Sequence, residues 1–333
     1  MSDSIEKVEG AAATRVAGGR PGASPAPQAL AAVPEELGRP GGSLFRGSAT
    51  GWRTGLDGYL FLAPYLVLFC VFLLLPLGFG LWLSMMRYEM LAPEAPSFVG
   101  FDNYAEALGD GYFWRSVWAT LLFVVLASPI TIVLALLIAV GLDAIKGRRA
   151  DYYRMIIFLP TMLTISVAAL LWRWFYNSEF GLFNQLLGST VPWLTDVRMA
   201  MPSLVLMTLW WTVGGPMIIL LAGLKQLPRE VYEAADLDGA QGWRRLIEVT
   251  LPQLRPVLLF VLVINLIGAF QVFGQPYLMT LGGPERSTRV LMQYVYETAF
   301  SFYRLGYAAA MSWLLFLVIA VISVIQFRVL RER

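Results

Sequence analysis

The sequence predicts an all-α integral membrane protein: six transmembrane helices, with a polar helix–turn–helix segment set between the fourth and the fifth. Three observations predict it. The 333-residue chain is 57% hydrophobic and only 14% charged, with a mean hydropathy of +0.62, whereas charged residues make up about a quarter of an ordinary soluble domain. The apolar residues gather into six long stretches nearly free of charge. Between two of these lies a stretch, 226–256, that carries Arg229, Glu230, Glu233, Asp236, Asp238, Arg244, Arg245, Glu248 and Arg255.

Residues 1–57 come first. Up to about Thr50 they are rich in Ala, Gly, Pro and Ser with scattered charges and no sustained apolar period. That composition cannot bury a core and is expected to form a disordered tail. No apolar core follows the first basic residues, so a cleaved signal peptide is not expected. The transmembrane domain, 58–330, follows, with spans at about 58–86, 116–142, 155–175, 199–224, 256–281 and 305–327. Each approaches or exceeds the roughly 20 residues needed to cross the hydrocarbon core. The third is charge-free only to Trp172; Trp174 and Phe175 extend it at an interface where Arg173 can snorkel. Pro64, Pro76, Pro129, Pro160 and Pro216 lie within spans, where proline bends a helix without abolishing it. The single cysteine, Cys70, cannot form a disulfide within the chain, and with no histidine a Cys/His zinc site is excluded.

Orientation follows from the basic residues. With the N-terminus in the cytoplasm, 18 of the 25 Lys and Arg residues fall in the tail, the 2–3 and 4–5 connections and the C-terminus, and 7 fall in the outer loops. The positive-inside rule favours that arrangement, a multi-pass protein of the cytoplasmic (inner) membrane with both termini in the cytoplasm. It also places 226–256 in the cytoplasm.

In that segment Pro228 suits the first position of a helix. Glu230, Glu233 and Asp236 then form one acidic strip, with the small Ala234 and Ala235 beside it. Asp238-Gly239 is a turn signal. A second short helix is expected over 241–250, ended by Leu251-Pro252. Glu233-Ala234-Ala235, then Gly239, then Leu251-Pro252 resembles the EAA loop of ABC-importer permeases, with Val249 in place of the usual Ile. GYLFLAPYLVLFCVFLLLP near the start, YRMIIFLPTMLTISVAALLWRWFYN at 153–177 and LMTLGGPERSTRVLMQYVYETAFSFYRLGYAAAMS at 278–312 are similar to the carbohydrate branch of that family.

The resemblance implies a type I importer permease fold. It implies one permease of a pair (a second, different permease making a heterodimer), two ATPase subunits, an extracytoplasmic solute-binding protein and a sugar or related polyol as cargo. It further implies that Glu230, Glu233, Ala234, Ala235, Asp236, Asp238, Gly239, Leu251 and Pro252 dock the ATPase, with Glu233 meeting a basic group there. The residues themselves agree that energy is supplied from outside: no G-x-x-x-x-G-K-[ST] phosphate loop occurs. ATP and Mg are thus expected on the partner subunits, with no cofactor or metal in this chain and no nucleophile–base pair of an enzyme. Membrane lipid surrounds the spans, and no nucleic-acid partner is expected. The alternatives are a secondary transporter or channel working without an ATPase, a non-transporting scaffold, and an importer of a non-sugar solute such as glycerol phosphate.

For the substrate path the sequence offers Asn265, Gln271 and Gln275 with Trp210, Trp211 and Phe270. Asn265, Gly268 and Gln275 fall on one side of a continuous fifth helix, with Gln271 flanking. Amides there can meet sugar hydroxyls and rings can stack on sugar faces. Amides also join membrane helices to one another, and Trp and Tyr also mark interfaces; the sequence leaves both readings open. LGGPERST at 281–288 reads as a compact outer loop.

Overall fold

The structure, a computed structural model, describes residues 53–92, 94–145 and 147–331. The expected tail lies outside these residues up to 52; at 53–57, expected as its end, a helix has already begun. Helix α1 (Arg53–Phe69) runs through a π-helical turn (Cys70–Leu74) into α2 (Leu75–Ser84). A two-stranded antiparallel pair, β1 (Met86–Arg87) and β2 (Ser97–Phe98), and a short α3 (Asp102–Gly109) follow. Next comes the longest helix, α4 (Gly111–Ala144), and then α5 (Arg148–Phe158), a 3₁₀ turn (Leu159–Met162), α6 (Ile165–Phe175) and α7 (Leu182–Leu187). The second half comprises α8 (Val197–Thr212), α9 (Gly214–Lys225), α10 (Arg229–Leu237), α11 (Gly242–Arg245), a second π turn (Leu246–Thr250), α12 (Leu251–Phe270), α13 (Gly274–Met279), α14 (Leu291–Phe300) and α15 (Leu305–Arg331).

Four stretches are long and apolar enough to cross a membrane: Tyr59–Ser84, Gly111–Ala144, Gly242–Phe270 and Leu305–Arg328. Two bent pairs bring the spans to six, Arg148–Met162 with Ile165–Phe175 at 99° and Val197–Thr212 with Gly214–Lys225 at 48°.

Helix α4 is the central post and packs against α8, α9, α12 and α14. Its small residues make this possible. Ala135 and Ala139 are fully buried against Leu220, Leu221 and Leu224 of α9. Gly214 lets α9 approach α5, since a Cβ there would stand 2.8 Å from the Ile157 carbonyl oxygen. Asn103 ties α3 to the end of α2 and to β1, donating from Nδ2 to the carbonyls of Ser84 (2.8 Å) and Met86 (2.9 Å).

Three expectations are corrected. The third span is not one rod over 155–175: it breaks at Leu163 and Thr164, where Leu163 is extended and Thr164 caps α6, its hydroxyl accepting from the Val167 N–H at 3.4 Å. The fifth span does not reach 281; it stops at Phe270, and Gln275 stands on the separate α13. Leu251-Pro252 does not end the second arm of the polar segment. Proline has no N–H for the carbonyl four residues back, and the ladder takes up the defect by slipping to a five-residue spacing, Leu251 N–H to Leu246 O. A helix therefore runs unbroken from Gly242 to Phe270. The same device precedes Pro76, where the Leu75 N–H bonds to Cys70 O.

Candidate functional site: a polar hairpin and an amide-lined cavity

The hairpin begins at Pro228, which serves as the N-cap of α10 rather than as its first helical residue. Glu230 lies in the first turn, where a carboxylate suits the helix dipole. The turn at the far end is a Schellman cap: the Gly239 N–H bonds to Asp236 O (3.2 Å) and the Ala240 N–H to Ala235 O (2.9 Å), with Gly239 at φ +72°. Gly239 is thus required by its left-handed backbone; an added Cβ would meet nothing within 4 Å. Ala235 is buried, Leu251 is half-buried, and Glu230, Glu233, Ala234, Asp236, Asp238 and Pro252 are exposed.

The two arms are tied across the turn. Arg245 reaches Asp236 at 3.3 Å and lies over the Tyr232 ring at 5.0 Å, and the Tyr232 hydroxyl stands 3.4 Å from Thr250 Oγ1. Arg244 pairs with Glu248 at 2.9 Å. Each exposed pair contributes little alone; Arg244–Glu248 lies within the second arm, and the Arg245 and Tyr232 contacts are the ones that brace α10 against the rod carrying α12. Glu230 and Glu233 make no ion pair among the described residues. Three apolar side chains were not singled out from the sequence and stand in solvent on this hairpin: Leu237 at 91% exposure, Trp243 at 69% and Ile247 at 59%. Their signal was three large apolar residues in an otherwise polar stretch.

Along the rod from Trp243, Asn265 faces a cavity of about 250 Å³ walled by α4, α8, α12 and α13. Trp211, Asn265 and Gln275 line it, with Gly268 and three residues sequence reasoning missed, Thr131, Thr208 and Thr212. Each threonine hydroxyl donates to the carbonyl four residues back, at 2.7–2.8 Å, so its oxygen remains an acceptor. Trp211 donates its indole N–H to Leu163 O at 3.1 Å, at the break in the third span. Asn265 Oδ1 is buried without a hydrogen-bond partner. Among the described residues no charged side chain lines the cavity. Threonines in membrane helices commonly bond their own backbone, so nothing in the sequence distinguished these three.

The other path residues stand elsewhere. Phe270 is buried in a separate core with Tyr294, Tyr307 and Met311. Trp210 packs on Trp172, ring centres 5.6 Å apart. Gln271 is exposed at the end of α12. Only Gln271 was placed by the wheel of a continuous fifth helix, which the end of α12 at Phe270 interrupts; Trp210 and Phe270 were offered as ring candidates, and their rings pack into cores instead.

A polar lock closes the start of α4. Asp110, its N-cap, accepts from the Tyr112 N–H at 2.8 Å, from the Tyr307 hydroxyl at 2.9 Å and from the Tyr294 hydroxyl. Partial burial pushes the Asp110 carboxyl up, but the bonds from Tyr294, Tyr112 and Tyr307 outweigh it and hold the group below its ordinary value. Burial, then the bond to Asp110, pushes Tyr294 up to about 12. Arg289 pairs with Glu297, and Arg304 with Glu106 (2.8 Å) and Glu89 (3.4 Å). The 281–288 loop is compact: Thr288 is fully buried, 2.6 Å from the Thr280 hydroxyl, and donates to Gly283 O at 2.7 Å.

Residues 108–333 match the family described as "Binding-protein-dependent transport system inner membrane component". The chain is 35% identical over 286 residues to the probable ABC transporter permease protein YesP of Bacillus subtilis, covering 83% of this chain and 91% of the relative. It is 35% identical over 288 residues to the lactose transport system permease protein LacF of Rhizobium radiobacter, covering 84% and 95%. Among solved structures, a chain of a bacterial ABC transporter involved in the import of the acidic polysaccharide alginate superposes with a TM-score of 0.71 at 25% identity, covering 84% of this chain and 96% of that one.

Proposed function

The chain belongs to the binding-protein-dependent transport system inner membrane components, and from that premise we propose how its hairpin and its cavity divide the work of an ABC importer permease. As a member of this family it is a transport subunit, with hydrolysis carried by partner chains. The hairpin docks an ATPase subunit, the exposed Glu230 and Glu233 offering charge and Leu237, Trp243 and Ile247 offering apolar area. ATP and Mg belong to that partner. Two ATPase subunits, a second, different permease and an extracytoplasmic binding protein complete the assembly, with the hairpin and both termini in the cytoplasm.

The observation that carries this reading is the unbroken helix from Gly242 to Phe270. At 1.5 Å per residue, Trp243 and Asn265 are about 33 Å apart on one rod. A displacement of the docked hairpin therefore reaches the cavity wall without a joint to absorb it. The cavity is the solute's stopping point in the membrane. Unspent acceptors on Thr208, Thr212 and Asn265, a neutral lining and the indole of Trp211 suit a neutral polyhydroxyl compound. The lactose permease relative and the alginate importer support a sugar. A glycerol phosphate would bring a dianion into a cavity with no cation in its lining, at a large desolvation cost.

Reconstitution of the chain with its ATPase, second permease and binding protein tests the scheme. Sugar-stimulated ATP hydrolysis and uptake are expected, with Glu233→Lys lowering ATPase co-purification and Asn265→Leu lowering uptake while assembly persists. Labelling of cysteines introduced within 226–256 from the extracytoplasmic side alone would overturn it.

A further inference from the structure

Helix α6 carries apolar residues on both its buried and its exposed face. Its inner face, Ala168, Ala169 and Trp172, is buried in the core. Its outer face carries Val167, Leu170 and Trp174, each more than half exposed. These three, with Leu171, Phe180 and Arg173, line an open groove of about 630 Å³. Arg173, in the last turn, also lines a second cavity of about 360 Å³ whose walls include Asn177, Ser178, Thr195 and Thr280. Arg173 and Asn177 belong to both. An apolar groove along a membrane helix thus opens at its end into a polar cavity, with a guanidinium at the junction.

That guanidinium is short of partners. Its hydrogen bond is a 3.3 Å donation from Nη1 to Leu278 O, out of five N–H donors. No carboxylate stands within ion-pair distance of it among the described residues, whereas Arg289 and Arg304 are each paired with glutamates. We propose that the groove and the polar cavity together form a binding site for one anionic phospholipid, the phosphate held by Arg173 and the acyl chains lying along Val167, Leu170 and Trp174.

The chemistry selects this ligand from both ends. A phosphodiester offers paired oxygens that match a guanidinium fork. A net negative headgroup balances the lone Arg173, while a zwitterionic one brings a competing cation of its own. A free phosphate satisfies Arg173 but leaves the groove below it uncovered. Trp174 lines the groove beside Arg173, and an indole suits the boundary between headgroups and acyl chains.

Native mass spectrometry of the full chain in detergent, with phosphatidylglycerol and phosphatidylcholine of the same acyl chains in equal amounts, tests the proposal. The chain retains one phosphatidylglycerol with a preference of about tenfold, the scale of one charge-assisted bond. Arg173→Gln brings the preference to parity and Arg173→Lys keeps most of it. Leu170→Glu, on the exposed wall, lowers retention of both lipids. Equal retention of the two lipids by the natural chain, or an undiminished preference in Arg173→Gln, overturns the site. Displacement by millimolar inorganic phosphate assigns Arg173 to a free anion and overturns the lipid. Cross-linking of a cysteine at 170 to the second permease in the assembled complex replaces the lipid by protein and overturns it as well.

Discussion

The third and fifth spans meet proline in opposite ways. In the fifth, Pro252 is preceded by the π turn at Leu246–Thr250, and the helix continues for 29 residues from Gly242. In the third, Pro160 lies in a 3₁₀ turn and the chain swings through 99°. The difference lies in what receives the freed backbone groups. Beyond Pro160, Thr164 offers a hydroxyl to the new helix start and Trp211 donates to the exposed Leu163 carbonyl. Around Pro252 no such cap is in place, and the nearest solution is to respace the ladder. A proline in a span therefore marks a defect, and the neighbouring side chains decide whether it becomes a joint or a bulge. Here the bulge keeps the fifth span continuous from Gly242 to Phe270, and the joint brings the Leu163 carbonyl to the indole of Trp211, which lines the cavity.

Turning the rod into a joint has the largest expected effect. Three glycines inserted between Thr250 and Leu251 weaken the helix by about 3 kcal/mol. Uptake is expected to fall to background while ATP hydrolysis in the assembled complex persists but no longer responds to substrate. Removing the joint's support comes next. Trp211→Phe leaves the Leu163 carbonyl without its donor, lowering stability by about 1–3 kcal/mol, read as a drop in Tm in detergent. Thr164→Ala removes the cap alone, by about 1 kcal/mol; equal losses in the two variants would show that Trp211 supports the break no more than the cap does. Asn265→Leu leaves rod and joint intact and removes the unpaired amide from the cavity, raising the KM for sugar uptake about tenfold.

At the hairpin, Gly239→Ala places a side chain at φ +72° and costs about 1 kcal/mol, whereas Gly239→Asn costs less because Asn tolerates that backbone. Coupling efficiency, measured as sugar imported per ATP, should follow the same order. The smallest effect concerns the lock at α4. The Asp110 carboxyl is held below its ordinary value, so its contribution is complete above about pH 4 and is lost as the pH falls through the lowered value. Asp110→Asn should flatten the acid limb of the stability profile and leave neutral-pH uptake unchanged.

Much of this was legible in advance. Six apolar stretches, the polar interruption and the Asp238-Gly239 turn follow from composition and local backbone preference. The hairpin survived translation into structure because its signals are local: α10 spans Arg229–Leu237 and its cap uses the glycine that the turn chemistry demanded. The cavity was half legible. Asn265, Trp211 and Gln275 came together, whereas Gln271 is exposed at the end of α12 and the Phe270 and Trp210 rings pack into apolar cores, a choice that depends on neighbours distant in sequence.

The sequence by itself determined the solvent of this protein, the number of its spans and the position of its polar hairpin, since each depends on hydrophobicity and backbone chemistry summed over neighbours in the chain. Tertiary structure alone decided which prolines became joints, which threonines joined Asn265 around one cavity, and which arginines found a carboxylate. Those outcomes depend on partners distant in sequence, such as Trp211 at Leu163 and Tyr294 at Asp110, and a freed carbonyl or a buried charge is settled by whatever side chain the fold brings within reach.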